Sequence, residues 1–105
     1  MNAQIFSVLA EPNRLNIIEL LSVTPRSVNE IVGRLSLNQP QVSKHLKVLA
    51  DIGIVEVHPL KNRRIYALKP DPFKEIDKWL EKYRQHLEVS FNRLEKLLIR
   101  EENKL

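Results

Sequence analysis

The segment SLNQPQVSKHLKVLA, residues 36–50, constrains the fold most, because its end signals and apolar spacing describe a helix with one buried edge. Asn38 is a favoured N-cap residue, and Pro40 falls in the first turn, where a missing N–H costs nothing. Val42, Leu46 and Leu49 recur at i, i+4 and i+7 and form one apolar stripe. Gln41, Ser43, Lys44 and Lys47 fall off that stripe, and no acidic residue interrupts the segment. Amides, a hydroxyl and two ammonium groups on one helix surface can donate to phosphate oxygens and to base edges in a major groove. An ordinary solvated helix face has the same composition, so the neighbouring segments decide between the two.

Charge is the first of those neighbours. The 105-residue chain carries a net charge of +4. Residues 1–36 hold Arg14, Arg26 and Arg34 against Glu11, Glu19 and Glu30, and residues 70–105 hold eight bases against eight acids. Between them, residues 37–69 hold Lys44, Lys47, Lys61, Arg63, Arg64 and Lys69 against only Asp51 and Glu56. The whole excess, six minus two, therefore sits in the middle third. A localised basic region of this kind points to a polyanion, most often nucleic acid.

The segments before this region read as three helices. Residues 3–10 form a short one with Ile5, Phe6 and Leu9 apolar. Glu11-Pro12-Asn13 interrupts it and opens a second, in which Leu15, Ile17, Ile18, Leu20 and Leu21 are expected inside. Thr24-Pro25 ends that helix, and Ser27 with Glu30 has capping-box spacing for a third over residues 28–35, with Val28, Ile31, Val32 and Leu35 inward. A tight turn, Ser36-Leu37-Asn38, then leads into the basic helix, which makes residues 27–52 a helix-turn-helix.

Gly53 suits a left-handed C-cap. Residues 54–58 and 64–68 alternate as half-buried strands, so residues 54–68 read as a hairpin with 59–63 as its tip. Lys61, Arg63 and Arg64 cluster there, as in a wing that reaches a nucleic-acid backbone or minor groove. Pro70-Asp71-Pro72 stops the second strand and opens a long helix, about residues 72–100. Its apolar stripe is Phe73, Ile76, Leu80, Tyr83, Leu87, Phe91, Leu94 and Leu97 or Leu98, flanked by Trp79. That is more stripe than so small a chain can cover, so the expected cover is the same helix of a second copy. The fold expected is a single domain over residues 1–105. It is mainly α with a β-hairpin (α+β), of order α-α-α-α-β-β-α, with a long C-terminal dimerisation helix.

Taken in order, Glu11-Pro12-Asn13-Arg14-Leu15, then SLNQPQVSKHLKVLADIGIV, then Asn62-Arg63-Arg64-Ile65-Tyr66-Ala67-Leu68 resemble the ArsR (arsenic repressor) family of bacterial winged-helix transcription regulators. The stretch from Val42 to Leu49 is the most specific part of the likeness. The resemblance implies a homodimer on a palindromic operator, usually repressing its own operon, with two recognition helices in successive major grooves and wings on the flanks. It also implies dimerisation through the first and last helices. Where many relatives carry metal-sensing cysteines, the matching positions are Ser27 and Asn29, neither a soft-metal ligand. For the relatives' second metal site, the last helix offers only Asp77 and His86. At the hairpin tip, Asn62 stands where glycine is common and tolerates the left-handed conformation.

The expected DNA contacts are Gln39, Gln41, Ser43, Lys44 and Lys47 on the helix at 39–50, and Lys61, Arg63 and Arg64 on the wing at 59–64. Gln41 suits a two-point pairing with adenine, Lys44 reaches guanine or phosphate, and Gln39 meets phosphate near the helix start. His45, beside the apolar stripe, reads as a packing or capping residue. The expected dimer interface is Ile5, Phe6, Leu9, Ile76, Trp79, Leu80, Tyr83, Leu87, Phe91 and Leu94, with Trp79 and Tyr83 read as dimer core before effector pocket. His45, His58 and His86 lie on separate elements, and neither a phosphate-binding glycine loop nor a His-Glu-x-x-His motif is present, so no enzyme is expected. No metal site and no cofactor is expected, and the effector is left open. The absence of cysteine, of an export signal and of any membrane-length apolar run points to a cytoplasmic protein. Two alternatives remain: a winged-helix protein-interaction module without DNA function, and a metal-responsive repressor with an atypical site.

Overall fold

A computed structural model describes residues 3–104; Met1, Asn2 and Leu105, the ends of the expected 1–105 span, lie outside the described residues. The chain divides into two compact units, one running to Pro72 and the other from Phe73 onward.

In the first unit, α1 (Gln4–Leu9) buries Ile5 and Val8. Arg14 ties its end to the next helix, with Nε donating to the Val8 carbonyl at 2.6 Å. Helix α2 (Pro12–Val23) starts where expected, with Pro12 in its first turn and the Glu11 carboxylate accepting from the Arg14 N–H at 2.9 Å. It buries Ile17, Ile18 and Leu21, but Leu15, expected inside, is exposed. Strand β1 (Arg26–Ser27) follows. No alternation announces a two-residue strand, and it was absent from the expected order.

Helix α3 (Val28–Val32) is shorter than the eight residues expected, and only Ile31 is fully enclosed. Its capping box is complete: the Ser27 hydroxyl accepts from the Glu30 N–H, and the Glu30 carboxylate accepts from the Ser27 N–H. Helix α4 (Gln39–Ile52) has a second capping box, between Asn38 and Gln41. Val42, Leu46 and Leu49 are fully buried, as their spacing requires.

Gly53 ends α4 at φ +86°, in the left-handed region. Its N–H donates to the Ala50 carbonyl at 3.0 Å, and the Ile54 N–H donates to the Leu49 carbonyl at 2.9 Å. This pair of bonds is a Schellman motif, and it sets buried Ile54 beside buried Leu49 in sequence position C″ and C3.

Strands β2 (Val55–Leu60) and β3 (Arg63–Leu68) are longer than predicted, so the tip shrinks from five residues to Lys61-Asn62. Pro59 is tolerated because the sheet order β1-β3-β2 makes β2 an edge strand. The left-handed residue of the tip is Lys61, at φ 56°, and not the expected Asn62. Positive φ at the first tip position alone is the pattern of a type II′ hairpin turn, whereas type I′ would need it at Asn62 as well.

Helix α5 (Pro70–Asn103) runs for 34 residues and buries none of them. Among its exposed apolar residues are Trp79, Leu80, Tyr83, Leu87, Phe91, Leu94, Leu97 and Leu98. Trp79 and Tyr83 pack with ring centroids 4.7 Å apart, and His86 continues the run edge-on at 6.3 Å from Tyr83. On the polar side, Arg84 pairs with Glu81 at 3.0 Å and with Asp77 at 3.8 Å. No described helix is long and apolar enough to cross a membrane.

Candidate nucleic-acid interface

The buried stripe of α4 turns its other side chains outward, and Gln39, Gln41, Ser43, Lys44 and Lys47 are all exposed. The wing presents Lys61, Arg63 and Arg64, also exposed. The two sets meet across a cleft of about 480 Å³. Gln39, Ser43 and Lys47 line one wall, at i, i+4 and i+8, and Val57, Arg64 and Tyr66 line the other. Val57 and Tyr66 are direct cross-strand partners, and Arg64 lies two residues from Tyr66, so all three share one face of the hairpin. A second groove, of about 210 Å³, runs between the start of α3 and the wing tip and is lined by Asn29, Gln39, Asn62, Arg63 and Arg64 with Ser27 and Val28.

The predicted contact residues therefore separate. Gln39 and Arg64 border both depressions, Ser43 and Lys47 only the cleft, and Arg63 only the groove. Gln41, Lys44 and Lys61 line neither, and stand on the open surface. Sequence reasoning missed Val57, Tyr66, Asn29 and Asn62 as lining residues. The first two were legible as one face of an alternating hairpin. Asn29 and Asn62 were not, because they are 33 residues apart in the chain and only the packing of the wing beside α3 brings them together.

Gln41 also takes part in the cap of α4. Its Oε1 accepts from the Asn38 N–H at 2.9 Å while Asn38 Oδ1 accepts from the Gln41 N–H at 2.9 Å. A two-point pairing with adenine requires both the carbonyl and the amide N–H of a glutamine. The cap occupies one lone pair of that carbonyl, so a pairing with adenine would share the oxygen with the cap or displace it.

Other residues of the region brace it. His45 is mostly buried, and its Nδ1 lies 3.8 Å from Glu11 Oε2, the group that caps α2. His45 thus packs against the start of α2, in keeping with a structural role for this histidine. Lys47 lies 3.5 Å from Asp51, one turn on; both are exposed, and such a pair restrains the lysine only weakly. Arg63 Nη1 lies 3.5 Å from Glu30 Oε1. The Glu30 carboxyl is held below the usual carboxylate range, first by the Ser27 hydroxyl, then by the Ser27 N–H, with Arg63 and Arg26 adding charge. Among the described residues, no group of three or more His, Cys, Asp or Glu could hold a metal ion, and Ser27 is buried in the α3 cap.

A capped, cation-bearing second helix beside a basic β-hairpin defines a winged helix-turn-helix regulator of the DNA-binding class. Residues 11–57 match the family described as bacterial regulatory protein, arsR family. An uncharacterized HTH-type transcriptional regulator from Methanocaldococcus jannaschii, MJ1325, is 35% identical over 77 residues, which cover 72% of this chain and 86% of that protein. The chain belongs to the arsR family. The crystal structure of an ArsR family transcriptional regulator superposes with a TM-score of 0.71 at 30% identity, covering 80% of this chain and 92% of that one. The transcriptional regulator Rv2034 of Mycobacterium tuberculosis is 38% identical over 65 residues, 62% of this chain, and the match spans 61% of Rv2034's own length. These relatives are transcriptional regulators, not enzymes.

Proposed function

We infer that this chain is a homodimeric, cytoplasmic transcription repressor that reads a palindromic operator. The observation that carries the reading is the location of charge: the entire +4 excess lies on α4, the hairpin and their flanks, and lysine and arginine from both line one cleft. In this reading α4 enters the major groove and presents Gln39, Gln41, Ser43, Lys44 and Lys47. The wing sets Arg63, Arg64 and Lys61 against the adjoining backbone or minor groove. The exposed stripe of α5 pairs with that of a second copy, and Phe6 and Leu9 of α1 are further members of the proposed interface. Ile5 is spent inside the chain's own core, and so leaves the proposed interface. An interaction module without DNA function has no need for this distribution of charge.

The test is selection of the purified protein against a random-duplex library. Recovery of a palindrome with half-sites about one helical turn apart is the expected result. Sequence-independent recovery alone would remove the operator reading, and no recovery would favour a protein-interaction module.

A further inference from the structure

The wing arginine best placed for a phosphate is already holding an anion. Arg63 Nη1 and Glu30 Oε1 are 3.5 Å apart, across 33 residues of sequence. The same Oε1 accepts from the Ser27 hydroxyl at 3.0 Å and from the Ser27 N–H at 3.4 Å. Ser27 is buried and belongs to β1, whose partner Ile65 lies two residues beyond Arg63 on β3. Glu30 is thus anchored by the cap of α3, while the Arg63 side chain is 59% exposed and hinges from an open strand end. The groove beside the pair offers amides from Asn29, Gln39 and Asn62 and the second guanidinium of Arg64. Arg63 lines this groove, and the Glu30 carboxylate meets Arg63.

We propose that the Glu30 carboxylate is an internal competitor for the DNA phosphate that Arg63 would bind, so that the wing must release Glu30 before it can engage a duplex. The inference rests on the DNA-binding reading and adds a residue on α3 to the determinants of affinity. Of the two partners it is Arg63 that moves: its exposure and long stem leave it mobile, whereas two donors of Ser27 hold the same oxygen of Glu30. The lowered proton affinity of Glu30 agrees with a carboxylate charged at neutral pH and able to compete. Because both members of the pair are solvent-exposed, the competition is modest, equivalent to about a two- to five-fold change in affinity.

Glu30→Gln isolates the effect. Glutamine keeps an Oε1 acceptor for Ser27 and removes the charge that holds Arg63. The measurement is binding of a fluorescein-labelled duplex of mixed sequence, longer than two helical turns, followed by anisotropy at low and moderate salt. Glu30→Gln is expected to bind about two- to five-fold tighter than the wild-type protein at low salt, and the gain is expected to vanish in an Arg63→Ala background. Glu30→Asp, one methylene shorter, withdraws the carboxylate from Arg63 without removing it and is expected to move binding the same way if the glutamine variant folds poorly. A gain that persists undiminished in the Arg63→Ala background would reduce Glu30 to a general repulsive charge and overturn the proposal. So would unchanged or weaker binding by a folded Glu30→Gln protein, and in either case the DNA-binding reading would stand. Failure of the wild-type protein itself to bind any duplex at low salt would overturn that reading, and the proposal with it.

Discussion

The winged unit and α5 are built from the same signal, an apolar stripe at helical spacing, and they meet opposite fates. In α4 the stripe residues Val42, Leu46 and Leu49 are wholly enclosed by their own chain. In α5 the corresponding residues Leu80, Leu87 and Leu94 are 40%, 66% and 46% exposed. A stripe states that a helix has something to bury. It does not state whether the cover is supplied by the same chain. For α4 the cover comes from α1, α2, α3 and the hairpin, whereas for α5 our reading assigns it to a second copy.

The sharpest way to break this comparison is to damage both stripes. Leu46→Ala leaves a cavity in a closed core and is expected to lower the unfolding free energy by about 2–5 kcal/mol in urea titrations. Leu87→Glu is expected to change that free energy for the winged unit by less than about 0.5 kcal/mol, while converting dimers to monomers in analytical ultracentrifugation. A dimeric Leu87→Glu protein would reject α5 as the interface.

Gly53→Ala probes the one left-handed glycine on which the core depends. A Cβ there would meet nothing within 4 Å, so any loss is purely that of the backbone at φ +86°. Thermal melts are expected to report a loss of about 1–2 kcal/mol. A much larger loss would mean that the Schellman cap also positions Ile54 and the start of the hairpin.

Charge gives a finer contrast between the same two regions. Arg64→Ala removes a cation that lines both the cleft and the groove, and is expected to reduce the slope of log affinity against log salt by about 1. Lys82→Ala, on the charge-balanced α5, is expected to leave that slope unchanged. Equal effects would place the DNA surface outside the cleft.

The smallest expected effect is acidic. Glu30 has a depressed proton affinity in the folded chain, so it contributes stability that is present above its unfolded pKa and is lost as pH falls through the folded one. The stability of the wild-type protein relative to Glu30→Gln is therefore expected to decline on acidification, below the usual carboxylate range, in urea titrations at stepped pH. A difference independent of pH would show that the charge of Glu30 does not support α3.

Local chemistry made most of the winged unit legible. Asn38, Pro40 and the Val42-Leu46-Leu49 spacing mark α4 because capping and period act within one or two turns, and Gly53 marks its end for the same reason. The basic wing was legible from composition alone. The two-residue strand β1 was not, since Arg26 and Ser27 become a strand only by pairing with Tyr66 and Ile65. Exposure of Leu15 escaped the sequence as well, because hydrophobicity says what gains from burial and not which face of a helix finds a neighbour.

What the sequence by itself determined is thus the set of elements, their order, their caps and the concentration of charge, all of which follow from residues close together in the chain. The tertiary structure alone decided which polar groups are free to act. It divided the predicted contacts between a cleft and a groove and brought Arg63 to Glu30. Those outcomes depend on distances between side chains far apart in sequence, and only the packed chain sets such distances.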